Sequence, residues 1–100
     1  MHEKADEHSV KKRMEVIFSG TVQGVGFRYT TQSISRQFPV TGFVRNLASG
    51  KVEVVAEAEE DILKEFLSMI RGSSMSPNIK EIEAKWKNPE NTYKTFSIEF

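Results

Sequence analysis

Residues 40–58, VTGFVRNLASGKVEVVAEA, decide the architecture. Residues 40–47 are rich in apolar and β-branched side chains. Ala48-Ser49-Gly50 supplies a short turn, and Lys51–Ala58 alternates apolar with polar residues. Two such runs separated by so short a turn predict an antiparallel hairpin, because parallel strands need a far longer crossover.

The pattern turns helical directly after the hairpin. Glu59, Glu60 and Asp61 put negative charge where a helix N-terminus favours it. Ile62, Leu63, Phe66, Leu67 and Ile70 then form one broad apolar stripe. Arg71 suits the last turn, and Gly72 the position just past it. Upstream, Met14, Val16 and Phe18 alternate with Glu15, Ile17 and Ser19 as a strand. Phe27, Thr31, Ile34 and Phe38 mark one face of a helix that runs to about Gln37 and is stopped by Pro39. Downstream, residues 73–78 form a Ser/Pro/Asn loop. Ile82, Ala84 and Trp86 alternate with Glu and Lys as a strand with an exposed charged face. Asn88–Asn91 turns the chain, and Phe96, Ile98 and Phe100 mark a last strand.

The element order β-α-β-β-α-β-β predicts an α+β fold. It is a ferredoxin-like two-layer sandwich, βαββαβ, with an antiparallel sheet of four to five strands and two helices on one face. The fourth strand is the expected extra ribbon. Phe18, Phe38, Phe66, Trp86 and Phe96 are assigned to the core.

A chain of 100 residues is one domain. Residues 1–13 hold four Lys/Arg, three Asp/Glu and a single large branched apolar residue, Val10. They bury too little to offset ordering and are expected to form a mobile arm ahead of a domain at 14–100. Lys+Arg and Asp+Glu both number 14, which argues against a nucleic-acid partner. A base-stacking RNA-binding sheet is disfavoured as well, since Lys51–Ala58 contains no aromatic residue. There are no cysteines, so disulfides, thiol catalysis and Cys-based zinc sites are excluded. The only histidines, His2 and His8, fall in the arm, leaving the domain without a histidine base or ligand. No run of 18 apolar residues is present, and MHEKADEHSVKKR lacks a signal-peptide core. These features predict a cytoplasmic protein without membrane contact, and nothing in the sequence demands a dimer, so it is expected to be a monomer.

The chemistry is left to amides, hydroxyls, carboxylates, Lys and Arg. Three of the six glycines, Gly20, Gly24 and Gly26, fall between the first strand and the first helix. Such a loop lets consecutive amides converge on an anion, and the helix N-terminus behind it adds free N–H groups and a favourable dipole. Arg28 adds a planar fork suited to a phosphoryl group. Residues 23–28 (Gln23, Gly24, Val25, Gly26, Phe27 and Arg28) thus have the parts of a phosphate cradle. Glycine spacing alone equally describes a plain strand-to-helix turn. Asn46, before the hairpin turn, reads as a turn residue or as a carboxamide able to orient a water. Arg45 beside it reads as a solvated charge.

The two segments together resemble the acylphosphatase family. Gly20-Thr21-Val22-Gln23-Gly24-Val25-Gly26-Phe27-Arg28 matches that family's first motif. Gly42-Phe43-Val44-Arg45-Asn46, with Gly50 and Val52, matches its second. The resemblance spans residues 14–100. It implies a ferredoxin-like fold and metal-independent, cofactor-free hydrolysis of a small acyl phosphate to a carboxylate and inorganic phosphate. By position it implies that Arg28 binds the phosphate, that the 23–28 amides cradle it, and that Asn46 orients the attacking water. The alternative is a non-catalytic module of the same fold that binds phosphate or carbamoyl phosphate. Ala58 stands where the family pattern has glycine, which puts an expected bulge in that strand in doubt.

Overall fold

The computed structural model describes residues 10–100. Seven elements follow one another: β1 (Lys11–Gly20), α1 (Phe27–Ser35), β2 (Thr41–Asn46), β3 (Val52–Glu59), α2 (Glu60–Arg71), β4 (Ile79–Lys87) and β5 (Phe96–Glu99). A short 3₁₀ turn, Ser76–Asn78, precedes β4. The strands form one sheet in the order β4-β1-β3-β2-β5. The first four give the ferredoxin-like arrangement.

Several expectations need correcting. Residues 1–9 of the expected arm lie outside the described residues. Lys11–Arg13 are not part of an arm: they pair with Glu57–Glu59 in β1. The added strand is β5, not β4, and the sheet is mixed rather than wholly antiparallel, because β5 runs parallel to β2. Gly72 has φ −91°, so helix α2 ends without a left-handed residue; Gly72 and Ser73 instead donate back to Ser68 and Ile70. At Ala58 the β1–β3 ladder stays in register, with Lys12 opposite it.

The core lies between the helices and one sheet face. Met14, Val16 and Phe18 of β1 meet Val52, Val54 and Ala56 of β3, with Leu63, Phe66 and Ile70 of α2 above them. Phe38 and Phe96 are half-buried and pack edge-on against Phe66, at 5.9 and 5.5 Å between centroids. Trp86 does not join them. It shares the helix-bearing face, opposite Met14, but remains 43% exposed. The helices sit mainly over β1, β3, β2 and β5; on β4, Ile79 and Ile82 are half-buried against the core, while Trp86 is left exposed.

The other sheet face is covered in part by the segment 88–95, and an ion cluster fastens it there. Glu57 accepts N–H bonds from Glu90 (2.8 Å) and Asn91 (3.0 Å) and from Arg13 (3.1 Å). Asn91 takes a left-handed backbone, φ 58°, within the turn that aims those consecutive amides at the carboxylate. Arg13 also donates to Glu15 at 2.7 Å and to the Tyr93 hydroxyl at 3.2 Å. Burial by itself disfavours ionised Glu57. The two amides and the guanidinium outweigh it and hold its carboxyl below the usual range. This cover explains why Val55 and Glu57 are buried on the face that β-alternation assigns to solvent.

Candidate active site

The glycine-rich loop is anchored at both ends by apolar side chains. Val22 and Phe27 are buried, and the Phe27 ring packs on Phe18 with centroids 5.0 Å apart. Between them the backbone turns through Gly24 (φ 75°) and Gly26 (φ 84°). A Cβ at either would meet nothing within 4 Å, so glycine serves the left-handed conformation there, not a close approach. Gly26 also caps α1, its carbonyl accepting from Thr30 N–H at 2.9 Å. The N–H groups of residues 23–28 have no hydrogen-bond acceptor among the described residues. They remain a set of unspent donors at a helix start, which is the electrostatic character of an anion site.

The Gln23 side chain joins this loop to the hairpin. Its Nε2 donates to the carbonyl of Leu47 at 2.7 Å and to that of Lys51 at 2.9 Å. Those residues already close the hairpin neck, Leu47 N–H donating to Lys51 O at 2.8 Å. Leu47 directly follows Asn46, so one carboxamide ties the glycine-rich loop to the hairpin beside Asn46. The sequence reading assigned Gln23 only a backbone amide. Its side-chain role was not legible, since its partners lie 24 and 28 residues away.

Arg28 is half-buried in the first turn of α1. Its Nη1 donates to Glu99 O at 3.4 Å, and its guanidinium lies 4.8 Å from the centre of the Phe100 ring. Glu99 is the register partner of Arg45, the residue before Asn46. Arg28 thus reaches the end of β5 that is paired with the end of β2, the strand end that carries Asn46. Asn46 pairs with Val52, which places it on the helix-bearing face, and it is exposed. Its carboxamide has no partner among the described residues. Arg28 commits one of its five N–H donors to Glu99, leaving the rest of the fork available.

Arg45 belongs to the opposite face. It pairs with Glu53 at 2.8 Å and lies over the Phe43 ring at 5.3 Å, which agrees with its reading as a surface charge. No helix among the described residues is long and apolar enough to cross a membrane.

With this geometry established, the comparisons identify its relatives. The acylphosphatase family model matches residues 14–98. A protein named acylphosphatase from Archaeoglobus fulgidus is 37% identical over 87 residues, covering 87% of this chain and 97% of that protein. The crystal structure of acylphosphatase from Bacillus subtilis superposes with a TM-score of 0.82 at 30% identity, covering 89% of this chain and 99% of that one. Full-length HypF, in its phosphate- and nucleotide-bound form, matches with a TM-score of 0.83 at 29% identity; the match covers 92% of this chain and only 12% of HypF.

Proposed function

Since this chain belongs to the acylphosphatase family and is a hydrolase of that class, we propose that it cleaves small acyl phosphates by direct attack of water on phosphorus. The acyl phosphate's non-bridging oxygens sit in the 23–28 amides, and the Arg28 fork neutralises them. Asn46 accepts from and donates to the attacking water, holding it in line with the bond to be broken. The water oxygen forms the new P–O bond while the bond between phosphorus and the acyl oxygen breaks. The products are a carboxylate and inorganic phosphate. The water's proton passes to a phosphate oxygen.

The chemistry suits these few groups. A carboxylate is already a good leaving group, so departure needs no strong acid, and the remaining demands are charge neutralisation and placement. All of these groups come from one chain, so the monomer is the catalytic unit.

The observation that supports this reading is the convergence just described. Gln23 ties the cradle to Leu47, beside Asn46, and Arg28 reaches Glu99, beside Arg45. Arg28→Ala and Asn46→Ala test it with acetyl or benzoyl phosphate as substrate. Removing one aimed donor costs on the order of 10²–10³ in rate, and Arg28→Ala exceeds that because charge and fork go together. A folded variant of either kind with near-native turnover overturns that residue's role.

A further inference from the structure

The second half of α2 and the strand β4 leave a groove of about 570 Å³ between them. Its lining is graded from one end to the other. Arg71, Ser76 and Lys80 stand where α2 finishes and β4 begins. Leu67, one turn earlier on α2, and Ile82 and Ala84, further along β4, make the other end apolar. Ile79, the first residue of β4, lies at the junction. Leu67, Ile79 and Ile82 are only half-buried against the core. Trp86 extends the apolar end: it shares the face of Ile82 and Ala84 and is exposed.

The polar end carries charge of one sign. No carboxylate lines the groove, and neither Arg71 nor Lys80 has an ion-pair partner among the described residues. Lys64, two turns before Arg71 on α2, is by contrast spent on Glu60 at 2.9 Å. Carbonyls at the end of α2 oppose an anion, but those of Ser68 and Ile70 already accept, from the N–H groups of Gly72 and Ser73 and from the Ser73 hydroxyl. We propose that this groove binds an alkyl chain with a carboxylate head. The head lies on Arg71, Lys80 and the Ser76 hydroxyl, and the chain runs over Leu67, Ile82 and Ala84 toward Trp86.

The gradation selects this chemistry. A carboxylate accepts from a guanidinium and an ammonium at once, in charge-assisted bonds, while its chain covers aliphatic surface that otherwise faces water. A short carboxylate leaves the apolar end uncovered. An alkylammonium meets charge of its own sign, and a neutral chain leaves both cations unmatched. The length agrees as well: Lys80 and Trp86 stand about 20 Å apart along the strand, room for an extended chain between head and indole. The volume falls in the range of about 300–1,000 Å³ typical of small-molecule sites. No residue of the candidate active site lines the groove, so the proposal stands apart from the hydrolytic reading and is tested by binding alone.

The test is titration of the full chain with sodium dodecanoate up to about 1 mM, the weak end of specific association, followed by calorimetry. Emission of Trp86, the only tryptophan, is recorded in parallel. Dodecanoate is expected to bind in that range as Trp86 emission shifts to the blue, while acetate and dodecylammonium do not bind. Decanoate, two methylenes shorter, is expected to bind about threefold to tenfold more weakly. Arg71→Ser and Lys80→Ser are each expected to weaken binding by about tenfold, the loss of one charge-assisted contact. Both positions are exposed, so both variants are expected to fold, which urea unfolding checks. The proposal is overturned if dodecanoate does not bind, if it binds with Trp86 emission unmoved, if dodecylammonium binds as tightly, or if neither substitution changes the affinity. A chain that sediments as a dimer and excludes dodecanoate gives the groove to a second copy and overturns it equally.

Discussion

Gln23→Ala probes the link between the two halves of the site. The substitution deletes two hydrogen bonds, at 2.7 and 2.9 Å, made by one side-chain nitrogen. Each such bond contributes about 0.5–1.5 kcal/mol net. Both acceptors keep a backbone donor, Gly50 N–H on Leu47 O and Leu47 N–H on Lys51 O, so no carbonyl is stranded. One of the lost bonds is solvent-exposed, which keeps the expected cost to about 1–2 kcal/mol of folding stability. The catalytic cost is larger in proportion. Without the tie the 23–28 amides can drift from Asn46, and a displacement of about 1 Å is enough for a loss near 10² in rate. Gln23→Glu sharpens the test. It has the same shape, but its carboxylate only accepts, so it faces two carbonyl oxygens with no proton to offer. It should therefore be worse than alanine in both properties. Urea unfolding with an unchanged m-value gives the stability, and steady-state turnover of benzoyl phosphate gives kcat/KM. If Gln23→Glu matches wild type in both, the tie plays no part in aligning the site.

Gly26→Ala forces a side chain into φ 84° with open space around it, so the strain is conformational and should cost about 1–2 kcal/mol in chemical denaturation; full wild-type stability would show that the loop relaxes freely. Glu57 bears on pH. Its carboxyl lies lower in the folded protein than in the unfolded chain, so its contribution is complete above the ordinary carboxylate range and is lost as pH falls through the folded value. Glu57→Gln should thus be clearly less stable than wild type at pH 7, with the gap narrowing as pH falls below the ordinary carboxylate range; a gap independent of pH would contradict the ionic role. Finally, turnover should be undiminished by EDTA, because the proposed mechanism uses only amides, a guanidinium and a carboxamide. A strict metal requirement would refute it.

The strand and helix order was legible from residues 14–100 because it rests on local periodicity. Met14-Val16-Phe18 alternates with period two, and Ile62-Leu63-Phe66-Leu67-Ile70 follows the helical period. Arg28 and Asn46 were singled out for a different reason: they sit inside two long motifs, and the resemblance implied roles that spacing by itself left open. Some assignments failed where a residue's fate depends on what covers it. Trp86 follows the apolar alternation of β4, yet it is exposed, since a pattern reports a face and says nothing of whether a helix lies over it. Glu57 reads as a solvent-facing acid in an alternating strand, yet it is buried beneath segment 88–95.

What the sequence by itself determined was the set of local conformations and the chemical parts: a chain without cysteine, a glycine loop able to turn left-handed, one arginine after it and one asparagine before a hairpin. The tertiary structure alone decided which of those parts are neighbours. Gln23 finds Leu47 and Lys51, Arg28 finds Glu99, and β5 adds parallel to β2. The physical reason is range: backbone dihedral preferences and side-chain periodicity act over a few residues, whereas hydrogen bonds between segments exist only after the sheet has set its strand order and register.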